Sequence, residues 1–246
     1  VLYVNSKYED IAYFNANQWK QLIQQYIPEL KKFCLAYYES NTYEHKILNN
    51  SSQLSYFVSS FWIERQSIME IEIHSERLRY AIRSYSNTDN ASVKLILKNV
   101  HHEKDFSFLK SNIDHILTIV QIYHLEISEV FINTLIQIII LLPRLDSLKV
   151  SSLSLKQSKC LSTNETELIS LTSNKNQITK IYLEKVTDIE EIYYLLELCP
   201  RMIYLQIDSI NNIGIESFIR NILIRINIKC YHQLGLLCFS ISAADD

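Results

Sequence analysis

The stretch LLPRLDSLKVSSLSL, residues 141–155, sets apolar residues at fixed intervals after a proline: Pro143, then Leu145, Leu148 and Val150. The same frame opens at Pro200 in ELCPRMIYLQIDSIN (197–211), with Met202, Leu205 and Ile207. It opens again at Pro28 in QYIPELKKFCLAYYE (25–39), with Leu30, Phe33 and Leu35. These are the 3 prolines of the chain, so every one marks the same place in a repeating pattern. Without proline the pattern continues as IMEIEI (Ile68, Ile71, Ile73), IYHLEI (Ile122, Leu125, Ile127), ITKIYL (Ile178, Ile181, Leu183) and LGLLCF (Leu234, Leu237, Phe239). The last two apolar positions of each copy lie two residues apart and so share one face of an extended strand. Strands are therefore expected at 33–37, 69–74, 122–128, 146–151, 179–184, 203–208 and 235–240.

Helical stripes separate these strands. Trp19, Leu22, Ile23, Tyr26 and Ile27 follow helix spacing, as do Leu54, Phe57, Val58, Phe61 and Trp62. Phe131 to Leu142, Ile189 to Leu196 and Ile215 to Ile226 carry similar stripes. A proline after such a stripe ends the helix, because the residue before it is pushed out of the helical region. From Ile122 the frames start 23, 33, 24 and 32 residues apart, so alternate starts are spaced 56, 57 and 56 residues. Self-similarity at such a period is the signature of a solenoid, and a helix returning between strands of one sheet makes them parallel. A doubly wound sheet would need strands apolar on both faces. Here alternate positions are polar, which favours an α/β, open leucine-rich-repeat-like horseshoe, with parallel strands on the concave face and helices on the convex one. Residues 1–246 read as a single solenoid. The stretch 76–120 fits the period worst and is expected to hold a hairpin followed by a degenerate repeat.

Composition narrows the function. Two glycines in 246 residues, Gly214 and Gly235, cannot build a phosphate-cradling loop or a dinucleotide turn. A net charge of -3 gives no reason to expect nucleic acid or an anionic membrane as partner. The apolar run VFINTLIQIIILLP (130–143) is too short to span a bilayer and reads as a buried helix. Cys34, Cys160, Cys199, Cys230 and Cys238 form no Cys-x-x-Cys pair and are expected to be free thiols in a reducing, intracellular compartment. The sequons at Asn49, Asn50, Asn90 and Asn164 read as chance matches in an Asn- and Ser-rich chain. The chain, running from Val1 to AADD, is expected to be a fragment of a longer protein.

Candidate chemistry is thin. HHEKD (101–105) is the one dense group of metal-type ligands, and it reads as a solvated loop. Cys230 and His232 have no third group to make a nucleophile. No cofactor site and no catalytic set is written in the sequence, so the chain reads as a binding protein rather than an enzyme. In a horseshoe the polar residues between the apolar strand positions face the concave surface. Glu126, Lys149, Tyr182, Glu184, Tyr204, Gln206 and Asp208 are the candidate protein-binding residues there, against the alternative of an ordinary polar sheet face. Tyr182 and Tyr204 are expected at equivalent places on adjacent strands, as aromatic anchors beside charge.

The frame resembles the divergent leucine-rich repeats of F-box proteins. SSFWIERQSIMEIEI, LLPRLDSLKVSSLSL, LCPRMIYLQIDSINN and LLCFSISAADD are similar to segments of a lineage-expanded family of uncharacterised F-box-like invertebrate proteins. The chain departs from the standard repeat in lacking a regular capping asparagine; Asn211 is the best candidate, with Ser152 and Thr187 at comparable places. The F-box, a short N-terminal helical module, is not among these residues. The resemblance implies substrate recognition for a cullin-type ubiquitin ligase, in the cytoplasm or nucleus, with the F-box docking the ligase adaptor and the repeats holding a protein target. A stand-alone repeat scaffold with no ligase role is the alternative.

Overall fold

The computed structural model describes residues 2–6, 15–31, 33–40, 56–65, 67–74, 77–84, 93–98, 106–118, 120–155, 169–211, 215–228 and 234–239. The chain divides into two compact units, Val1–Asn99 with Ser107–His124, and Val100–Phe106 with Leu125–Asp246. The first holds β1 (Leu2–Ser6), α1 (Ala16–Tyr26), β2 (Phe33–Ser40), α2 (Ser60–Ile63), β3 (Ser67–His74), β4 (Arg77–Ser84), β5 (Val93–Leu97) and α3 (Phe106–Leu117). The second holds β6 (His124–Phe131), α4 (Ile132–Leu141), β7 (Ser147–Ser154), β8 (Lys180–Lys185), α5 (Ile189–Leu198), β9 (Tyr204–Ile207), α6 (Ile215–Ile228) and β10 (Leu236–Phe239). A further helical turn at 169–173 precedes β8. Each unit is α/β with an open sheet, mixed in the first unit and parallel from β7 to β10 in the second.

The three prolines sit in one turn, built three times. Ile27, Leu142 and Cys199, each just before a proline, adopt φ/ψ of -142/55, -113/69 and -120/69, outside the helical region. In each case the carbonyl of that residue accepts a hydrogen bond from the first apolar residue of the frame: Leu30 at 2.9 Å, Leu145 at 3.1 Å and Met202 at 3.1 Å. Proline suits the second position of such a turn because its φ is already fixed. Leu30, Leu145 and Met202 are then buried, and the chain enters the sheet.

In the second unit the strands neighbour one another in chain order, β6-β7-β8-β9-β10. The pairs β7/β8, β8/β9 and β9/β10 are all parallel. Strand entry repeats as well. The Asp146 carbonyl accepts from the N–H groups of Thr179 and Lys180, the Thr179 carbonyl from Ile203 and Tyr204, and the Ile203 carbonyl from Gly235 and Leu236. Leu148, Val150, Ile181, Leu183, Leu205 and Ile207 form the apolar face and are buried, as the two-residue period requires. Against the core lie Leu135 and Ile139 of α4, Ile192 and Leu195 of α5, and Phe218 and Ile222 of α6. Arg225 of α6 joins the two last helices: it pairs with Glu197 of α5 at 2.9 Å and lies 4.9 Å from the Tyr193 ring.

The first unit departs from the expected succession of parallel strands. Its order is β1-β2-β4-β3-β5, with β4 antiparallel to both neighbours. β3 and β4 pair from His74↔Arg77, so two residues connect them, which is the length of a tight hairpin. β2 and β3 are therefore not adjacent, although β1/β2 and β3/β5 remain parallel. The stretch 76–120 thus contains β4, then β5 and α3. The core of this unit is aromatic: Trp62 lies 5.2 Å from Phe33, 5.3 Å from Phe57 and 5.0 Å from Phe61 between ring centroids.

Helix starts and strand starts are fixed by local polar groups. Asn15 caps α1 by accepting from the N–H groups of Asn17 and Gln18, both at 3.1 Å. α5 opens on a capping box: Asp188 accepts from Glu190 N–H at 3.1 Å, and Glu191 accepts from the N–H groups of Thr187 and Asp188. The asparagine that serves as an internal cap is Asn176 rather than Asn211. It is buried, accepts from Ile178 N–H at 3.4 Å and donates to the Leu198 carbonyl at the end of α5. Thr187 donates its hydroxyl to Glu191 instead of capping a repeat turn.

Candidate functional site

The residues between the core positions of β6 to β9 form the polar face of the second unit's sheet, and all seven candidates lie there. Lys149 on β7 is at its middle. Its Nζ lies 2.6 Å from Glu184 Oε1 on β8 and 3.7 Å from Glu126 Oε1 on β6. The hydrogen bond to Glu184 is the main reason the Lys149 ammonium titrates above the usual lysine range, with burial acting against it. The same bond, helped by Ser151, holds the Glu184 carboxyl below the usual carboxylate range.

Tyr182 and Tyr204 meet, but not side by side. The register pairs Tyr182 with Gln206 and Lys180 with Tyr204, so the two tyrosines are diagonal neighbours. Their rings bridge the diagonal, with centroids 5.3 Å apart and planes at 46°. This is the tilted geometry aromatic pairs favour, and diagonal strand positions are within reach of aromatic side chains. Along β9 the polar groups are linked: the Tyr204 hydroxyl donates to Gln206 Oε1 at 2.8 Å, and Gln206 Nε2 donates to Asp208 Oδ1 at 2.7 Å. Burial and a hydrogen bond with Cys238 on β10 push the Tyr204 phenol above its ordinary range.

At neutral pH this arrangement keeps Lys149 protonated, Glu184 ionised and Tyr204 neutral, so these three groups present fixed charge and hydrogen-bonding capacity rather than a proton poised for transfer. The sheet beneath holds them rigidly, since every second residue of β8 and β9 is locked in the core.

Among the described residues no group of three or more His, Cys, Asp or Glu is placed to hold a metal ion. HHEKD (101–105), Cys160, and Cys230 with His232 lie outside the described residues. Cys34, Cys199 and Cys238 are free thiols, and full burial pushes the Cys199 thiol far up, which makes it unreactive. No described helix is long and apolar enough to cross a membrane. No protein-family model matches the chain, and neither a curated protein nor a solved structure matches it.

Proposed function

We propose that this chain is a protein-binding repeat domain of the leucine-rich-repeat kind, an open horseshoe whose strand face holds a partner. Supporting this are the chain-order succession of parallel strands in the second unit and the thrice-repeated proline turn. The polar, partly exposed side of its sheet also differs from a doubly wound sheet, where helices cover both faces. The observation that carries the proposal is the Tyr182–Tyr204 ring pair, set among fixed polar groups: Glu126 and Glu184 on Lys149, and Asp208 on Gln206. Tyrosines supply large contact area at small rotamer cost, and three acids against two lysines, Lys149 and Lys180, leave an acidic excess that suits a basic patch on the target. The test is recovery of partners from native lysate by wild type and by the Tyr182→Ala, Tyr204→Ala variant, both first shown to be folded by circular dichroism. Loss of the partners from the variant is the expected result. Equal recovery by both contradicts the assignment of this face.

In the form the F-box resemblance gives it, the bound protein is a substrate presented to a cullin-type ubiquitin ligase. That reading rests on the resemblance, and it is tested by whether the full-length gene product co-purifies with the ligase adaptor. Partner binding without the adaptor supports the stand-alone scaffold instead.

A further inference from the structure

The inserted antiparallel strand β4 gives the polar face of the first unit a different character. On that face β4 carries Arg79 and Arg83, β3 carries Glu70 and Glu72, and Lys94 and Lys98 come from β5 and its end. Among the described side chains this is four cations against two carboxylates. The two carboxylates are also the deeper partners. Glu70 is 8% exposed beneath Arg83 at 46%, their closest atoms 2.9 Å apart. Glu72 is 13% exposed and holds Arg79 and Lys98, each at 2.8 Å; the Lys98 side chain is 46% exposed. Burial works to raise the Glu72 carboxyl, but the hydrogen bonds and the charges of Lys98 and Arg79 together outweigh it and hold it below the usual range. Both acids are spent on orienting the cations above them, and the layer that meets solvent is positive.

We propose that this face docks an acidic, carboxylate-rich peptide segment of a partner protein. The claim rests on the reading of the strand faces as protein-binding surfaces and adds the chemistry of what the first unit takes. Charge complementarity selects the occupant. Arginine and lysine heads already held by buried carboxylates lose little freedom when they meet further carboxylates. An excess of two positive charges on a chain of net charge -3 suits a short acidic segment and is far too small for a nucleic-acid backbone, where affinity scales with the number of phosphates neutralised.

The probe is a fluorescein-labelled peptide of alternating Glu and Ala, titrated with the whole chain and followed by anisotropy, beside a Lys/Ala peptide and a single-stranded oligonucleotide of equal length. Saturable binding of the Glu peptide, weakening as salt is raised, is expected, and the Lys peptide, which suits the acidic row of the second unit, is not expected to compete with it. Arg83→Gln with Lys98→Gln keeps a hydrogen-bond donor for each buried carboxylate while removing two charges, and is expected to weaken binding about tenfold. The Tyr182→Ala, Tyr204→Ala variant is expected to bind the Glu peptide as wild type does, so failure of the second unit's assignment and failure of this one are read separately. No saturable binding of the Glu peptide, unchanged binding by the glutamine variant, or tighter binding of the oligonucleotide overturns the proposal.

Discussion

Replacing Leu205 by alanine perturbs the second unit at a fully buried position of β9. Leu205 is 0% exposed and sits in register between Ile181 of β8 and Leu237 of β10. Losing about three carbons at about 0.8 kcal/mol each removes about 2.4 kcal/mol of burial. If about 50 Å³ of the vacated space stays open, a cavity cost of about 24 cal/mol per Å³ adds about 1.2 kcal/mol. The expected loss is therefore about 3.6 kcal/mol, within the range usual for a buried leucine. Far-UV circular dichroism in urea is the readout, with the slope of the transition unchanged. The chain has 2 tryptophans, Trp19 and Trp62, and both belong to the first unit, so fluorescence reports directly on that unit. Leu236→Ala on the same strand pair is the control, since Leu236 is 52% exposed. A loss below about 1 kcal/mol for Leu205→Ala, or one equal to the control, refutes the packing described for this sheet.

Asn176→Ala strips the Leu198 carbonyl and the Ile178 N–H of their side-chain partner in a buried place. It is expected to cost about 1–3 kcal/mol by urea denaturation; no change would mean the asparagine is not a cap. Burial raises the folded pKa of Glu191 despite its hydrogen bonds from Thr187 and Asp188. Such a group stabilises below its ordinary carboxyl pKa, and that contribution is lost as pH rises through the raised folded value. Glutamine can fill the same capping role without charge, so Glu191→Gln should gain on wild type between acid and neutral pH. Parallel stability profiles for the two proteins would contradict this.

The proline frame was legible because both its parts are local: a pre-proline residue leaves the helix, and apolar residues two apart share a strand face. That was enough to place β2, β3 and β6 to β10 and the core face of Leu148, Ile181 and Leu205. The short β1 and β5 were missed. β4 alternates visibly, Leu78, Tyr80 and Ile82 inward against Arg79 and Arg83, but alternation carries no direction. Whether a strand runs back as a hairpin or forward after a helix depends on its connection, and two residues after His74 decide it here. The seven polar residues of the second unit were placed on one face by period alone. Their register was not, because Tyr182 opposes Gln206 and meets Tyr204 only through the lean of the rings. Asn176 was missed because its partner carbonyl at Leu198 is 22 residues away, beyond any local pattern.

The most direct test of the strand-face assignment is site-specific photo-crosslinking in native lysate. Benzoylphenylalanine is placed at position 182 on β8 in one protein, and at position 140 in another, where Ile140 is 50% exposed on α4. Crosslinked partner bands from position 182 and none from position 140 are the predicted result. Bands from position 140 alone, or the same bands from both positions, would contradict the account.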